Sequence, residues 1–154
     1  MSDKRLREIQ DLIQSKIPIT KQLDFSLTSW DGEELKLSAP YEKNKNHHDT
    51  IFGGSLAMSA IVSGYSMTFM ALEDALGSEW SNDHTLVIKD FSCNYLRPVS
   101  NDVYATSKAV LESGVSEFVS CLKKKGKSRL QVETLIVDSE TRLKCMATYV
   151  AFKK

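Results

Sequence analysis

From Thr50 to Leu72 the chain carries no charged residue, and no other feature restricts its fold as tightly. An apolar run of that length could cross a bilayer. It also holds Thr50, Ser55, Ser59, Ser63, Ser66, Thr68 and three glycines, and its flanks show no Lys/Arg asymmetry. A helix apolar nearly all round, in a chain otherwise rich in charge, is a buried one. The segment is therefore read as a core helix spanning Gly53–Leu76, with Gly77 as its C-cap.

The rest of the chain has to supply what covers that helix. Residues 3–16 fit an amphipathic helix, with Leu6, Ile9, Leu12 and Ile13 at helical spacing, Ser2 or Asp3 as a cap and Pro18 as a stop. Gln22–Ala39 reads as a hairpin: Leu23, Phe25 and Leu27 alternate with polar residues, Asp31-Gly32 turns the chain, and Leu35, Leu37 and Ala39 alternate again up to Pro40. Tyr41–Phe52 is a polar loop. Beyond the long helix, His84–Arg97, Asp102–Leu111, Ser128–Asp138 and Arg142–Phe152 read as strands. Ser116–Lys125 is ambiguous, because Phe118, Cys121 and Leu122 fit a helical period. No repeat, linker or low-complexity segment interrupts residues 1–154.

That order argues for a single α+β domain, an antiparallel sheet with the apolar helix laid against it. A curved six-stranded sheet wrapped around such a helix is the hot-dog arrangement. A sheet with poorly covered edges calls for a partner, so a homodimer or homotetramer is expected.

Length permits one domain with a full core and leaves no room for two. Twenty basic and twenty acidic side chains cancel, so no global field draws the chain to nucleic acid or a membrane. The one charge run, Lys123-Lys124-Lys125-Gly126-Lys127 with Arg129, lacks the interleaved aromatics of a nucleic-acid site. It reads as a solvated turn or as a contact for phosphates. Cys93, Cys121 and Cys145 are odd in number and far apart, without a C-x-x-C, and His47, His48 and His84 are not at metal-ligand spacing. Reduced cysteines, no metal and a cytoplasmic location are expected. Met1-Ser-Asp-Lys-Arg runs into charge and is not read as a signal peptide.

The densest polar cluster is Asn44, Asn46, His47, His48 and Asp49, just before Phe52-Gly53-Gly54-Ser55. At the start of a helix the first N–H groups lack intrahelical partners and stand at the positive end of the dipole. Glycines there admit a ligand carbonyl to the backbone of Gly53 and Gly54, where an oxyanion would be stabilised. Asp49, His47 and His48 are candidate bases for a water, and Asn46 is a candidate for positioning it or for holding the ligand carbonyl. The alternative is that Asp49 or Thr50 simply caps the helix. Ser55, Ser59, Ser63 and Ser66 share a helical face. They suit close packing across a dimer, or Ser59 and Ser63 line an acyl tunnel and orient water. Asp90 interrupts an apolar strand and is a second candidate base.

Phe52-Gly53-Gly54-Ser55 after Asn44-x-Asn46-His47-x-x-Thr50, with Tyr95-Leu96-Arg97-Pro98-Val99 downstream, resembles the thioesterases of the YiiD C-terminal-domain type. The resemblance implies a hot-dog fold, oligomers, and hydrolysis of an acyl thioester on CoA or acyl-carrier protein, without a cofactor. Some members carry an acetyltransferase domain upstream, which is not expected here. The wider resemblance is to phenylacetic-acid-type thioesterases, which open the helix with His-Gly-Gly and carry a carboxylate two to three turns in. Here Phe52 stands at the His position and Ile61 near the carboxylate position. Phe52, Ser59, Arg97, Lys125, Lys127 and Arg129 are the candidate substrate contacts. A non-catalytic acyl-CoA-binding module and a hot-dog hydratase or dehydratase are the alternatives.

Overall fold

Every second side chain from Ser128 to Ile136 is buried, because a pleated strand laid on a core presents alternate residues to it. In the computed structural model, which describes residues 3–154, this strand is β5 (Lys127–Asp138). Before it come α1 (Asp3–Lys16), α2 (Thr20–Leu23), β1 (Ser26–Trp30), β2 (Glu34–Ala39), α3 (Tyr41–Asn44) and α4 (Gly53–Leu76). Next are α5 (Trp80–Asp83), β3 (His84–Tyr95), β4 (Val103–Ala109) and α6 (Gly114–Lys125), and β6 (Glu140–Lys153) closes the chain. The six strands form one antiparallel sheet in the order β1-β2-β4-β5-β6-β3.

The expected elements are present, with four differences, one being the unassigned short helix α5. Leu23 belongs to the short helix α2 and not to the hairpin, which starts at Ser26. The polar loop opens with one turn of helix, α3. The ambiguous stretch is helix α6, buried through Phe118 and Leu122 and stopped by Gly126 at φ 71°. The Ser2 or Asp3 cap lies outside the described residues and side chains.

The two edges of the sheet are treated differently. At β1, helix α1 lies alongside and bonds the strand with side chains: Leu27 N–H donates to Gln10 Oε1 (3.0 Å) and Gln14 Nε2 donates to the Phe25 carbonyl (3.3 Å). At the other edge, the outer side of the 12-residue β3 pairs with no described strand. An exposed row of backbone donors and acceptors is a template for another chain.

Helix α4 is the one described helix long and apolar enough to span a bilayer, yet most of it is buried against β2, β4, β5 and β6. Its serine face meets the chain's own sheet: Ser59, Ser63 and Ser66 are fully buried there, so the expected packing of this face across a dimer is not what the fold does with it. The closest approach is at Gly64. A Cβ at this position would stand 2.6 Å from the hydroxyl of Tyr149, which is itself buried and donates to the Ile61 carbonyl (2.7 Å). Gly77 ends the helix at φ 93°, its N–H on the Glu73 carbonyl.

Gly64→Ala is expected to destabilise the protein by about 1–3 kcal/mol through overpacking, outweighing the roughly 1 kcal/mol that alanine returns in helix propensity. Chemical denaturation measures it, and Tyr149→Phe, which removes the nearest of the clashing atoms, should cost less in the Gly64→Ala chain than in the wild type. In the β1–β2 turn, Asp31 Oδ1 accepts the N–H groups of Glu34 (2.7 Å) and Glu33 (2.9 Å). Those bonds, Glu34 first, hold its carboxyl below the ordinary carboxylate range. A depressed folded-state pKa contributes stability above the unfolded value of about 3.9 and loses it as pH falls through the folded value. Asp31→Asn keeps the acceptor and removes the titration, so urea midpoints should fall less steeply on acidification below about pH 4.

Candidate functional site

Two asparagines hold the loop that leads into α4. Asn44 is buried; its Nδ2 donates to the carbonyls of Leu23 (3.0 Å) and Pro40 (2.8 Å), and its own carbonyl accepts Phe52 N–H (2.8 Å). Asn46 Oδ1 accepts His48 N–H (2.8 Å) and Thr50 N–H (3.3 Å), while its Nδ2 donates to Thr50 Oγ1 (3.1 Å). This closed turn leaves Asp49 at φ 60°, a conformation that Asp tolerates better than most residues. Its carbonyl accepts the Tyr41 hydroxyl (2.9 Å), and its side chain, like those of His47 and His48, is exposed. The two imidazole centroids lie 3.9 Å apart, with the rings tilted at 43°. Buried Ile51 then bolts the loop down through its N–H to the Val99 carbonyl (2.7 Å).

Helix α4 starts bare. Its N-cap is Phe52, which makes no side-chain cap to the N–H groups of the first turn. Neither Asp49 nor Thr50 caps it, because the Thr50 hydroxyl is tied to Asn46. The N–H groups of Gly53, Gly54 and Ser55 precede the first helical carbonyl and have nothing within the helix to bond. They gather the positive end of the dipole beside a polar loop.

Two aromatic side chains frame this turn. The Tyr95 hydroxyl donates to the Gly53 carbonyl (2.8 Å), and the Phe52 ring lies over Gly54, where a Cβ would come within 2.4 Å of it. Burial and then the neighbouring Cys93 push the Tyr95 phenol up, so it stays a protonated donor near neutral pH. The motif Tyr95-Leu96-Arg97-Pro98-Val99 does not by itself disclose this role for Tyr95. Its signal is alternation: Phe91, Cys93 and Tyr95 share the strand face turned toward α4, opposite Ala147, Cys145 and Leu143.

The other candidates are scattered. Ser59 Oγ donates to the Ser55 carbonyl (2.7 Å) inside the helix. Ser63 Oγ bonds Ser107 Oγ (2.7 Å), which bonds Thr134 Oγ1 (2.6 Å), a buried hydroxyl chain tying α4 to β4 and β5. Both serines therefore sit in the helix–sheet contact and not on an open tunnel. Asp90 follows a bulge in β3 and projects, exposed, from the face opposite α4. Arg97 is exposed and paired with Glu140 (3.1 Å). Ile61 offers only its carbonyl, to Tyr149, and the acids of α4 begin at Glu73, about 30 Å along the helix from Gly53.

Lys125, Lys127 and Arg129 line a cavity of about 610 Å³ between α6 and β5, with Leu111, Phe118 and Leu130. They are far from Gly53 in the same chain. Tyr95 pairs with Leu143 on β6 and Arg129 with Val150, seven residues further, or about 23 Å along the strand.

A family described as "Putative thioesterase (yiiD_Cterm)" matches residues 6–153. Among solved structures, a protein of unknown function from Chlorobaculum tepidum is 24% identical, with a TM-score of 0.83 over 99% of this chain and 96% of that one. A "putative thioesterase" from Shewanella oneidensis is 22% identical, with a TM-score of 0.80 over 98% of this chain and 99% of that one. A thioesterase from Haemophilus influenzae is 15% identical, with a TM-score of 0.65 over 94% and 90%. The shared fold is the hot dog.

The hydroxyl chain generates a test of what Ser63 does. Ser107 is the middle member, so Ser107→Ala should strip a partner from both neighbours and cost about 2–3 kcal/mol, whereas Ser63→Ala should cost about 1 kcal/mol. Urea unfolding of the two variants checks the order.

Proposed function

Because the chain belongs to the family described as "Putative thioesterase (yiiD_Cterm)", we propose that it hydrolyses an acyl thioester, carried on coenzyme A or acyl-carrier protein, at the start of α4. The observation that carries this reading is the bare first turn of the helix, where N-cap Phe52 makes no side-chain cap and Gly53 and Gly54 present free N–H groups. A thioester carbonyl set against them gains donors that strengthen as its oxygen becomes an oxyanion. Asp49 takes a proton from the attacking water, with His47 and His48 as further exposed proton acceptors in the same loop. The tetrahedral intermediate expels the thiolate, which recovers the proton. Asn46 acts through the loop, since its side chain holds the turn on which Asp49 stands. Phe52 covers the approach.

The same reading accounts for the distance between the helix start and the lysine-rich end. A second copy added antiparallel along the open edge of β3 brings the lysine-rich end of one copy beside the Gly53 end of the other. The half-exposed apolar side chains Met58, Ile61, Tyr65 and Phe91 flank that edge and favour the pairing. In such a homodimer Lys125, Lys127 and Arg129 meet the phosphates of the carrier, and Asp90, near the middle of β3, approaches the two-fold axis.

Free-thiol release from a panel of acyl-CoAs tests the proposal. The wild-type protein should release CoA from at least one of them, and Asp49→Asn, which suits φ 60° as well as Asp but is no base, should lower turnover roughly 10²-fold with an unchanged melting temperature. Wild-type turnover in Asp49→Asn removes that residue from the mechanism. Tight binding without thiol release from any acyl-CoA replaces hydrolysis with acyl-CoA binding, a reading favoured by Phe52 and Ile61 at positions where related enzymes carry catalytic side chains.

A further inference from the structure

Cys93 on β3 and Cys145 on β6 are direct cross-strand partners on the face turned toward α4. The phase of the ladder follows from three backbone bonds. Lys153 N–H donates to the Gly126 carbonyl, Val110 N–H to the Gln131 carbonyl, and Leu96 N–H to the Arg142 carbonyl. Counting along the register from each, Thr134 and Cys145 form a hydrogen-bonded pair, so the amide and carbonyl of Cys145 point to β5. Cys93 and Cys145 are then a non-hydrogen-bonded pair, the kind whose side chains stand closest, with Cα atoms about 4.5 Å apart. Disulfides span Cα separations of about 4.4–6.8 Å.

The two thiols differ in access. Cys145 is 1% exposed and Cys93 is half-buried at the open edge of the sheet. Burial, and then Cys93 itself, push the Cys145 thiol far up, so it stays protonated and unreactive alone. Cys121 has no facing thiol; it lies on α6 with its S–H on the Lys127 carbonyl (3.4 Å).

We propose that Cys93 and Cys145 are a modification site, a dithiol that closes into a reversible intrachain disulfide when the folded protein meets a hydroperoxide. The Cys93 sulfur attacks the peroxide and takes one oxygen as a sulfenic acid, while an alcohol or water leaves. The Cys145 sulfur then displaces hydroxide from Cys93; the S–S bond forms and the Cys145 proton departs with the hydroxide as water. Two thiols lose two electrons in total, and the peroxide gains them. The bond would staple edge strand β3 to β6 two residues from Tyr95, whose hydroxyl holds Gly53. Strained cross-strand disulfides of this kind are readily reduced.

The experiment treats the folded protein with hydrogen peroxide, then unfolds it in guanidinium chloride with iodoacetamide to block every remaining thiol, and maps peptides without reduction. The expected result is one blocked cysteine per oxidised chain, Cys121, and a linked peptide pair containing Cys93 and Cys145 that dithiothreitol separates. Cys93→Ser should show no two-hydrogen mass loss under the same treatment. Cys145 recovered as an alkylated free thiol, with Cys93 either overoxidised to the sulfinic acid or bonded to a second chain, overturns the proposal. The readout is covalent and independent of thioester turnover.

Discussion

The contact of Gly64 with Tyr149 sets how deeply α4 seats in the sheet. A glycine lets the helix backbone come down until the buried phenol reaches the Ile61 carbonyl. At that depth the hydroxyls of Ser63, Ser107 and Thr134 can join, and the serine face can be buried without leaving most of its polar atoms alone. Among the described residues, Ser66 Oγ is one buried hydroxyl without a partner. Interiors are packed as tightly as crystals, so a helix held at one point at this depth is held along its length. The start of α4 is therefore a rigid position.

That rigidity is what makes an uncapped helix start usable. A bare first turn normally takes water or a capping side chain. Here the loop's own polar groups satisfy one another: Asn46 with Thr50 and His48, Asn44 with Leu23 and Pro40. The N–H groups of Gly53 and Gly54 are left without an intrahelical acceptor, and the Tyr95 hydroxyl donates to the Gly53 carbonyl. Preorganised donors need no reorganisation as charge develops on a bound carbonyl, which is the physical basis for reading this turn as an oxyanion site.

The sheet's asymmetry organises the rest. Helix α1 bonds the β1 edge with Gln10 and Gln14, whereas β3 runs twelve residues with its outer edge unpaired among the described residues. The same strand carries Tyr95 toward the helix start, Cys93 toward Cys145, and Asp90 to the opposite face. The proposed thioester site, the proposed dimer contact and the proposed disulfide thus all involve one strand, the unpaired edge of the sheet among the described residues.

The sequence alone determined the α+β class, the six strands and the buried helix. Period-2 alternation in β5 and a charge-free run at Thr50–Leu72 are local patterns that burial imposes on one face or on all faces. It also located the glycine turn before Ser55, because helix starts and chain direction are local. Hairpin edges were less clear: Leu23 is apolar in a strand or a helical turn alike, and α6 shares its apolar spacing with either state. What Ser63, Asp90 and Tyr95 do was decided only in three dimensions. Ser63 faces Ser107, 44 positions away, and Tyr95 meets Gly53 across 42. Asp90 was turned outward by a one-residue bulge that no periodicity announces. Long-range pairing depends on register and helix depth, quantities that belong to the packed chain and not to any segment of it.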